Sequence, residues 1–217
     1  ILVTPSVVII SGVLLAMFVG PGINAFMEAF GRFIENATEM RPFIMGIIVS
    51  VSVGMALTLP ISSAALCIAI GLSGIAAGAA TAGCCAQMVG FAVISFKDNG
   101  VGGLLSQGLG TSMLQIGNIV RKPIIWLAPT LTAAILGPVS TVVFGMTNNA
   151  LGAGMGTSGL VGSIASYADM TAAGGDSTAI IIKIAVLHFV APTIISLLIH
   201  FAMTRLGWVK NGDMKIG

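Results

Sequence analysis

Charged side chains are scarce in this chain of 217 residues, and their scarcity decides its class. Asp, Glu, Lys and Arg make up 7% of the residues and hydrophobic residues 56%, whereas soluble domains carry about 25% charge. A soluble domain needs a charged surface that this composition cannot supply. The chain is therefore predicted to be an all-α integral membrane protein. Its net charge of +2 is too small to indicate a nucleic-acid partner, and the lipid bilayer is the expected surrounding.

Residue types that build chemical sites are also few. The chain has two histidines and three cysteines, and Cys67, Cys84 and Cys85 all lie in apolar runs without C-x-x-C spacing. No His, Cys or Asp cluster has metal-ligand spacing, and no glycine-rich phosphate loop with a following lysine occurs. The sequence therefore predicts no metal site, no cofactor and no catalytic residue.

Long apolar runs are what the sequence does contain. Residues 61–96 carry no charge, and small residues fill the stretch from Gly71 to Gly83. A bilayer core of about 30 Å is shorter than one helix of this length, and two full crossings would need roughly forty residues. The run is therefore predicted to break near the glycines and to cross twice. Broken helices at membrane depth survive only in protein or beside water, and they are typical of transporter substrate sites.

The rest of the chain divides into further runs. Four more spanning segments are predicted: Ile1–Val19, Pro42–Pro60, Pro123–Met146 and Ala179–Met203. With two crossings by residues 61–96, the expected total is six. Residues 23–36 follow the first run after Gly20-Pro21-Gly22, and their amphipathic pattern predicts a separate helix lying along the membrane surface. Residues 97–122 predict a loop with a short surface or re-entrant helix.

The positions of basic residues predict the orientation. Lys and Arg accumulate in cytoplasmic loops, so residues 97–122 and the C-terminal tail with Arg205, Lys210 and Lys215 are predicted to be cytoplasmic. The acidic stretch Glu28–Glu39 is predicted to lie outside.

Two stretches of the chain resemble each other. Arg41-Pro42-Phe43-Ile44 opens one span and is followed by Gly71-Leu72-Ser73-Gly74-Ile75; Lys122-Pro123-Ile124-Ile125 opens another and is followed by Gly156-Thr157-Ser158-Gly159-Leu160. The predicted topology inverts the second copy, so residues 41–96 and 122–178 form an inverted repeat or a chance likeness between glycine-rich helices. An inverted repeat would place a substrate near the midplane.

Candidate solute-binding residues follow from these features. Ser73 and Ser158 lie beside the predicted helix breaks, and Asn148 and Asn149 bind a ligand or cap a helix. Gly74 serves the site or helix packing. His188 lies near the centre of the last span, where an ionisable residue binds a ligand or bonds a neighbouring helix. Ser163 is predicted only to pack. The predicted solute site comprises Ser73, Gly74, Asn148, Asn149, Gly156, Thr157, Ser158, Gly159 and His188.

Three segments resemble a known family. The runs Ile70–Ala80, Ile1–Ile9 and Ala153–Gly162 are similar to the enzyme IIC-like membrane family of the phosphotransferase system that includes the perfringolysin O regulator. The resemblance implies a multi-pass permease of the bacterial inner membrane, to which a separate cytoplasmic IIB component supplies phosphate from IIA. It covers about the C-terminal two-thirds of a typical member, so residues 1–217 are expected to form one membrane domain of a longer protein.

The resemblance leaves two functions open. The leading one is a homo-oligomeric carrier that moves a small polar, sugar-like solute by alternating access. The alternative is a membrane-embedded regulator or sensor that keeps the carrier fold without transporting, because no Glu-containing sugar motif and no IIB domain are seen. Any enzymatic role is at most that of the membrane subunit of a sugar phosphotransferase system.

Overall fold

The structure of the chain, a computed structural model, describes residues 3–216, with side chains from residue 7 onward except 15 and 16. The predicted start of the first run at Ile1 lies outside the described residues. Within them the backbone forms α-helices joined by 3-10 turns, π turns and loops, with no named strand. The predicted all-α class is confirmed.

Eleven α-helices follow one another along the described residues. They are α1 Val3–Thr38, α2 Pro42–Thr58, α3 Ser63–Ala69, α4 Gly74–Ile94, α5 Phe96–Leu105, α6 Ile116–Arg121, α7 Leu127–Pro138, α8 Ala150–Ala153, α9 Val161–Ala172, α10 Ser177–Ile184 and α11 Ala191–Arg205. A 3-10 turn at Pro123–Trp126 and a π turn at Val139–Phe144 extend α7, and a π turn at Ala185–Val190 joins α10 to α11.

Three helices of the described part are long and apolar enough to cross a membrane: Gly74–Ile94, Pro123–Phe144 and Ser177–Arg205. The bent α1 is a fourth if it counts as one span, and α2 is apolar but shorter. Residues 61–96 contain one long helix and the short α3 rather than two long helices. The total of six crossings stays a prediction.

The separation of residues 23–36 from the first run is wrong. α1 continues through Gly20-Pro21-Gly22 and is bent by 47° between Val7–Leu14 and Met17–Thr38. Pro21 cannot donate to the carbonyl four residues before it, which is that of Met17, so a bend near this position is expected. Inside a membrane a continuing helix still satisfies more backbone groups than an open turn would.

The centre of the protein is a three-helix contact between α2, α4 and the span that contains α7. Almost all of α4 is buried, and its small residues let the backbones approach closely. A Cβ atom on Gly83 would lie 1.9 Å from the Ser50 carbonyl oxygen, and one on Gly137 would lie 2.0 Å from that of Gly46. The Ser50 hydroxyl donates to the Ala133 carbonyl at 2.8 Å. These contacts show that α7 runs antiparallel to α2.

Residues 97–122 fold back into the protein rather than lying loose outside it. The Ser112 hydroxyl lies 2.8 Å from that of Thr58 at the end of α2. Gln107 and Gln115 are wholly buried, and the Gln115 amide donates to the Gln107 side-chain oxygen at 2.9 Å. The predicted short helices are thus present, and they pack against the interior.

The C-terminal clip, residues 212–216, docks on this same segment. The Asp98 carboxylate accepts the N–H groups of Gly212 at 2.8 Å and Met214 at 3.2 Å, and Asn99 accepts that of Ile216 at 2.8 Å. The Gln115 amide donates to the Met214 carbonyl at 3.0 Å. Residues 97–122 and the tail therefore lie at one end of the molecule.

An ion pair between Lys122 and Asp213 closes the clip. Desolvation pushes the pKa of the Asp213 carboxyl upward, but hydrogen bonds from Lys122 and from the Lys210 N–H outweigh it, so this pKa lies below its usual range. The Asp213 carboxyl therefore stays charged at neutral pH.

The predicted orientation can be tested with two exposed positions. Single cysteines are placed at Asn36 in α1 and at Ser106 after α5, because both side chains are exposed, whereas the neighbouring Gln107 is buried. In intact cells an impermeant thiol reagent should label Asn36→Cys, and it should label Ser106→Cys only after permeabilisation. The wild-type protein, whose three cysteines are buried, is the blank. If only Ser106→Cys is labelled in intact cells, the orientation of the protein is opposite to the predicted one.

Candidate functional site

The chain breaks between α3 and α4, at the start of the glycine run. α3 ends at Ala69 and α4 begins at Gly74, whose φ of +62° favours glycine. The Gly74 carbonyl accepts the Asn148 N–H at 3.2 Å in an antiparallel bridge. Antiparallel pairing sets Ser73 opposite Asn149, and both side chains are exposed. The predicted break is confirmed, and it meets the second glycine-rich segment.

Asn148 is buried at this junction and holds it together through hydrogen bonds. Its side chain is wholly buried, and its amide donates to the Thr81 hydroxyl at 2.7 Å and to the Gly162 carbonyl at 3.0 Å. Its side-chain oxygen accepts the Asn149 N–H at 2.8 Å. Asn148 thereby joins α4 to the start of α9, and its hydrogen-bonding groups are already engaged.

Asn149 is exposed and caps α8. Its side-chain oxygen accepts the Gly152 N–H at 3.0 Å, so the capping alternative is realised. Ser158 is half-buried, and Gly159 is exposed with a φ of +51°. Leu160 follows with a φ of +61°. These two consecutive left-handed residues turn the chain sharply into α9.

Gly156 and Thr157 pack against the middle of α4. A Cβ atom on Gly156 would lie 2.7 Å from that of Cys84, so a side chain cannot fit there. The buried Thr157 hydroxyl donates to the Gly108 carbonyl at 2.6 Å. The second glycine-rich segment is therefore held between α4 and residues 97–122.

His188 is wholly buried in the π turn between α10 and α11. Its Nδ1 lies 2.9 Å from the Ser163 hydroxyl on α9, so the alternative in which His188 bonds to a neighbouring helix is realised, and Ser163 is its partner. Among the described residues, three buried side-chain atoms have no hydrogen-bond partner: His188 Nε2, the Ser166 hydroxyl and the Ser140 hydroxyl in the π turn after α7. Ser163 and Ser166 lie on one face of α9 because they are three residues apart. Their face and His188 form a polar spot with unfilled bonding capacity.

The predicted site residues thus fall into distinct places. Asn148 and His188 bond to the successive α9 residues Gly162 and Ser163, so the structure brings these two together. Ser73 and Asn149 do not belong to this pair; they are exposed beside the bridge between Gly74 and Asn148. Thr157 contacts Gly108 instead.

Sequence reasoning missed two groups of polar residues. Thr81 and Ser166 gave no signal, because lone hydroxyls are common in membrane helices. Gln87 did give one, as an amide inside a run without charge. It is wholly buried; its side-chain oxygen accepts the Trp126 indole N–H at 3.0 Å and its amide donates to Thr130 at 3.2 Å.

The fold and the junction together define a class: an all-helical membrane protein in which the break between α3 and α4 pairs with a second glycine-rich segment. A comparison with protein families identifies the family within this class. The model of the family described as "Phosphotransferase system, EIIC" matches residues 1–216, and the chain belongs to this family. No curated protein and no solved structure matches the chain.

Proposed function

We propose that this chain translocates a small polar solute of the sugar class by alternating access, as the membrane subunit of a bacterial phosphotransferase system. Phosphate would come from a separate cytoplasmic IIB component. Membership of the EIIC family supports the system, and helices broken inside the protein support translocation, because such breaks expose backbone ends to a bound solute.

The unfilled polar spot on α9 carries the proposal. A buried polar group without a partner costs about 1–3 kcal/mol; His188 Nε2 and the Ser166 hydroxyl both lack one, and Ser166 lies one turn of α9 after Ser163, which bonds to His188. Solute hydroxyls can donate to and accept from both groups. A polar solute that completes these bonds would recover the cost, which gives the spot a purpose beyond packing.

The other predicted residues take supporting roles in this proposal. Asn148 positions α9 relative to α4, and Ser163 fixes the imidazole ring of His188 through Nδ1. Ser73 and Asn149 stand exposed beside the N-terminus of α4, whose partial positive charge favours electron-rich oxygens. They would meet the solute on its way to His188.

The test is solute binding to the purified protein, with a panel of sugars and polyols at millimolar concentration. Ser166→Ala should weaken binding about five- to a hundred-fold, because a solute hydroxyl loses its partner. The same substitution should leave the melting temperature of the solute-free protein unchanged or raised, since an unpaired buried hydroxyl is removed. His188→Gln should also weaken binding.

Ser11→Ala is the matched control. Ser11 is exposed on α1, and its hydroxyl bonds only to carbonyls of its own helix, so both affinity and stability should stay at wild-type values. If the wild type binds none of the panel, the sugar carrier is refuted and the regulator takes its place. If a ligand binds and Ser166→Ala and His188→Gln keep wild-type affinity, the α9 site is refuted.

A further inference from the structure

A cavity lies at the end of the molecule that holds the C-terminal clip, and none of the predicted solute-site residues lines it. It has a volume of about 800 Å³ and is open between the α4–α5 corner and α11. We call it the corner groove. Most of its lining is apolar, and prominent members are Ile94, Phe96, Leu104, Leu197, Leu198 and Phe201.

The corner groove is polar at one end only. Along α11 the lining residues Ile194, Leu197 and Leu198 come first, and His200, Thr204 and then Asn211 follow. An α-helix rises 1.5 Å per residue, so the apolar Ile194 and the polar Thr204 at the two ends of this lining are separated along the helix axis by about 15 Å; the apolar Phe201 lies next to His200 between them. A ligand that fits must have an apolar body and a polar head.

The polar end is positively charged. Lys97 lines it, and the Arg205 guanidinium lies 5.0 Å from the centroid of the Phe201 ring. The acidic neighbour, Asp98, already accepts the backbone N–H groups of Gly212 and Met214. Arg205 does not line the groove itself but lies over the lining residue Phe201; the formal charges of Lys97, Arg205 and Asp98 sum to +1, which favours an anionic head.

This charge also argues against a second copy of the chain as the occupant. In a twofold dimer the same patch would face itself, so two positively charged patches would be brought together across a low-dielectric interface. A free sugar would leave the apolar lining unfilled.

We propose that the corner groove binds an anionic phospholipid from the adjacent leaflet. One acyl chain would lie along Leu197 and Leu198, and the phosphate would contact Lys97 and Arg205. Basic residues at the membrane surface each contribute about 1 kcal/mol to the binding of anionic lipid. This inference does not depend on the solute that the protein carries.

The experiment is native mass spectrometry of the full chain, released from vesicles that contain equal amounts of phosphatidylglycerol and phosphatidylcholine. The wild type should retain phosphatidylglycerol preferentially. Lys97→Gln combined with Arg205→Gln should reduce that retention about thirty-fold, about fivefold for each charge. Leu198→Trp, which fills the apolar half, should displace the lipid while leaving both charges in place.

The matched control is Lys210→Gln combined with Lys215→Gln, because both lysines are exposed at the same end; neither lines the groove, and they differ from Arg205, which lies over the lining residue Phe201. It should change retention less than about twofold. Equal retention of both lipids by the wild type, or equal losses in the two double variants, would overturn the proposal. A change from dimer to monomer in Leu198→Trp, without lipid loss, would assign the groove to a second copy.

Discussion

Gly83→Ala is expected to lower the melting temperature of the detergent-solubilised protein by about 6–12 °C. The added methyl carbon would lie 1.9 Å from the Ser50 carbonyl oxygen and 2.5 Å from its carbonyl carbon. Both atoms belong to the backbone of α2, so no side chain can rotate away and the helices must separate. Overpacking of this kind costs about 3 kcal/mol, which corresponds to that temperature shift in a protein of this size.

Gly117→Ala provides the comparison for Gly83→Ala. Gly117 lies in α6, and a Cβ atom there would meet nothing within 4 Å. Alanine also has the higher helix propensity, by about 1 kcal/mol, so the melting temperature should stay unchanged or rise slightly. Thermal unfolding followed by circular dichroism measures both variants. Equal melting temperatures for the two would show that α2 and α4 do not approach as closely as described.

Asn148→Ala is expected to have the second largest effect, and its neighbour Asn149 gives the contrast. Removal of the Asn148 amide leaves the buried Gly162 carbonyl without that donor and removes a bond to Thr81. Each orphaned buried group costs about 1–3 kcal/mol, so we expect about 2–4 kcal/mol of destabilisation. Asn149→Ala loses one exposed cap of the short α8, which costs about 1 kcal/mol.

Limited proteolysis separates these two variants further. Loss of Asn148 detaches the 145–160 segment from both α4 and α9, so cleavage there should become faster than in Asn149→Ala under the same conditions. Asn148→Ala should also weaken solute binding, because α9 carries Ser166 and the partner of His188. If both variants unfold and bind alike, the Asn148 side chain does not hold the junction of α4 and α9 together.

The sequence predicted the parts of this fold that depend on composition and spacing. The apolar spans, the break at the first glycines and the buried position of His188 follow from the way a bilayer treats backbone and charge. The break was found because a run of this length fits neither one crossing nor two.

The path of the chain at that break could not be predicted from the sequence. The length of residues 61–96 favoured two long helices, whereas the structure has only the short α3 before the long α4. There the Ser63 hydroxyl donates to the Gly154 carbonyl at 2.7 Å, a contact between residues far apart in the sequence. Likewise Gly20-Pro21-Gly22 has the local signature of a turn, and only the surrounding membrane makes a continuous bent helix preferable.

Only part of the candidate site could be predicted from the sequence. Two adjacent asparagines look identical in the sequence, but one is wholly buried and the other exposed, because the antiparallel bridge at Gly74 turns alternate side chains to opposite faces. Ser163 and Ser166 owe their importance to His188, which lies on another helix. Such pairings are set by packing and leave no local pattern.

The C-terminal clip has a consequence for the order in which the protein can be completed during synthesis. Asp98, Asn99 and Gln115 wait for backbone partners that lie about a hundred residues further along the chain. The segment between α5 and α6 must therefore enter the protein before its last bonds are available. These polar side chains gain their backbone partners only after residues 212–216 have been synthesised, and that contact is a peptide docking rather than a helix insertion.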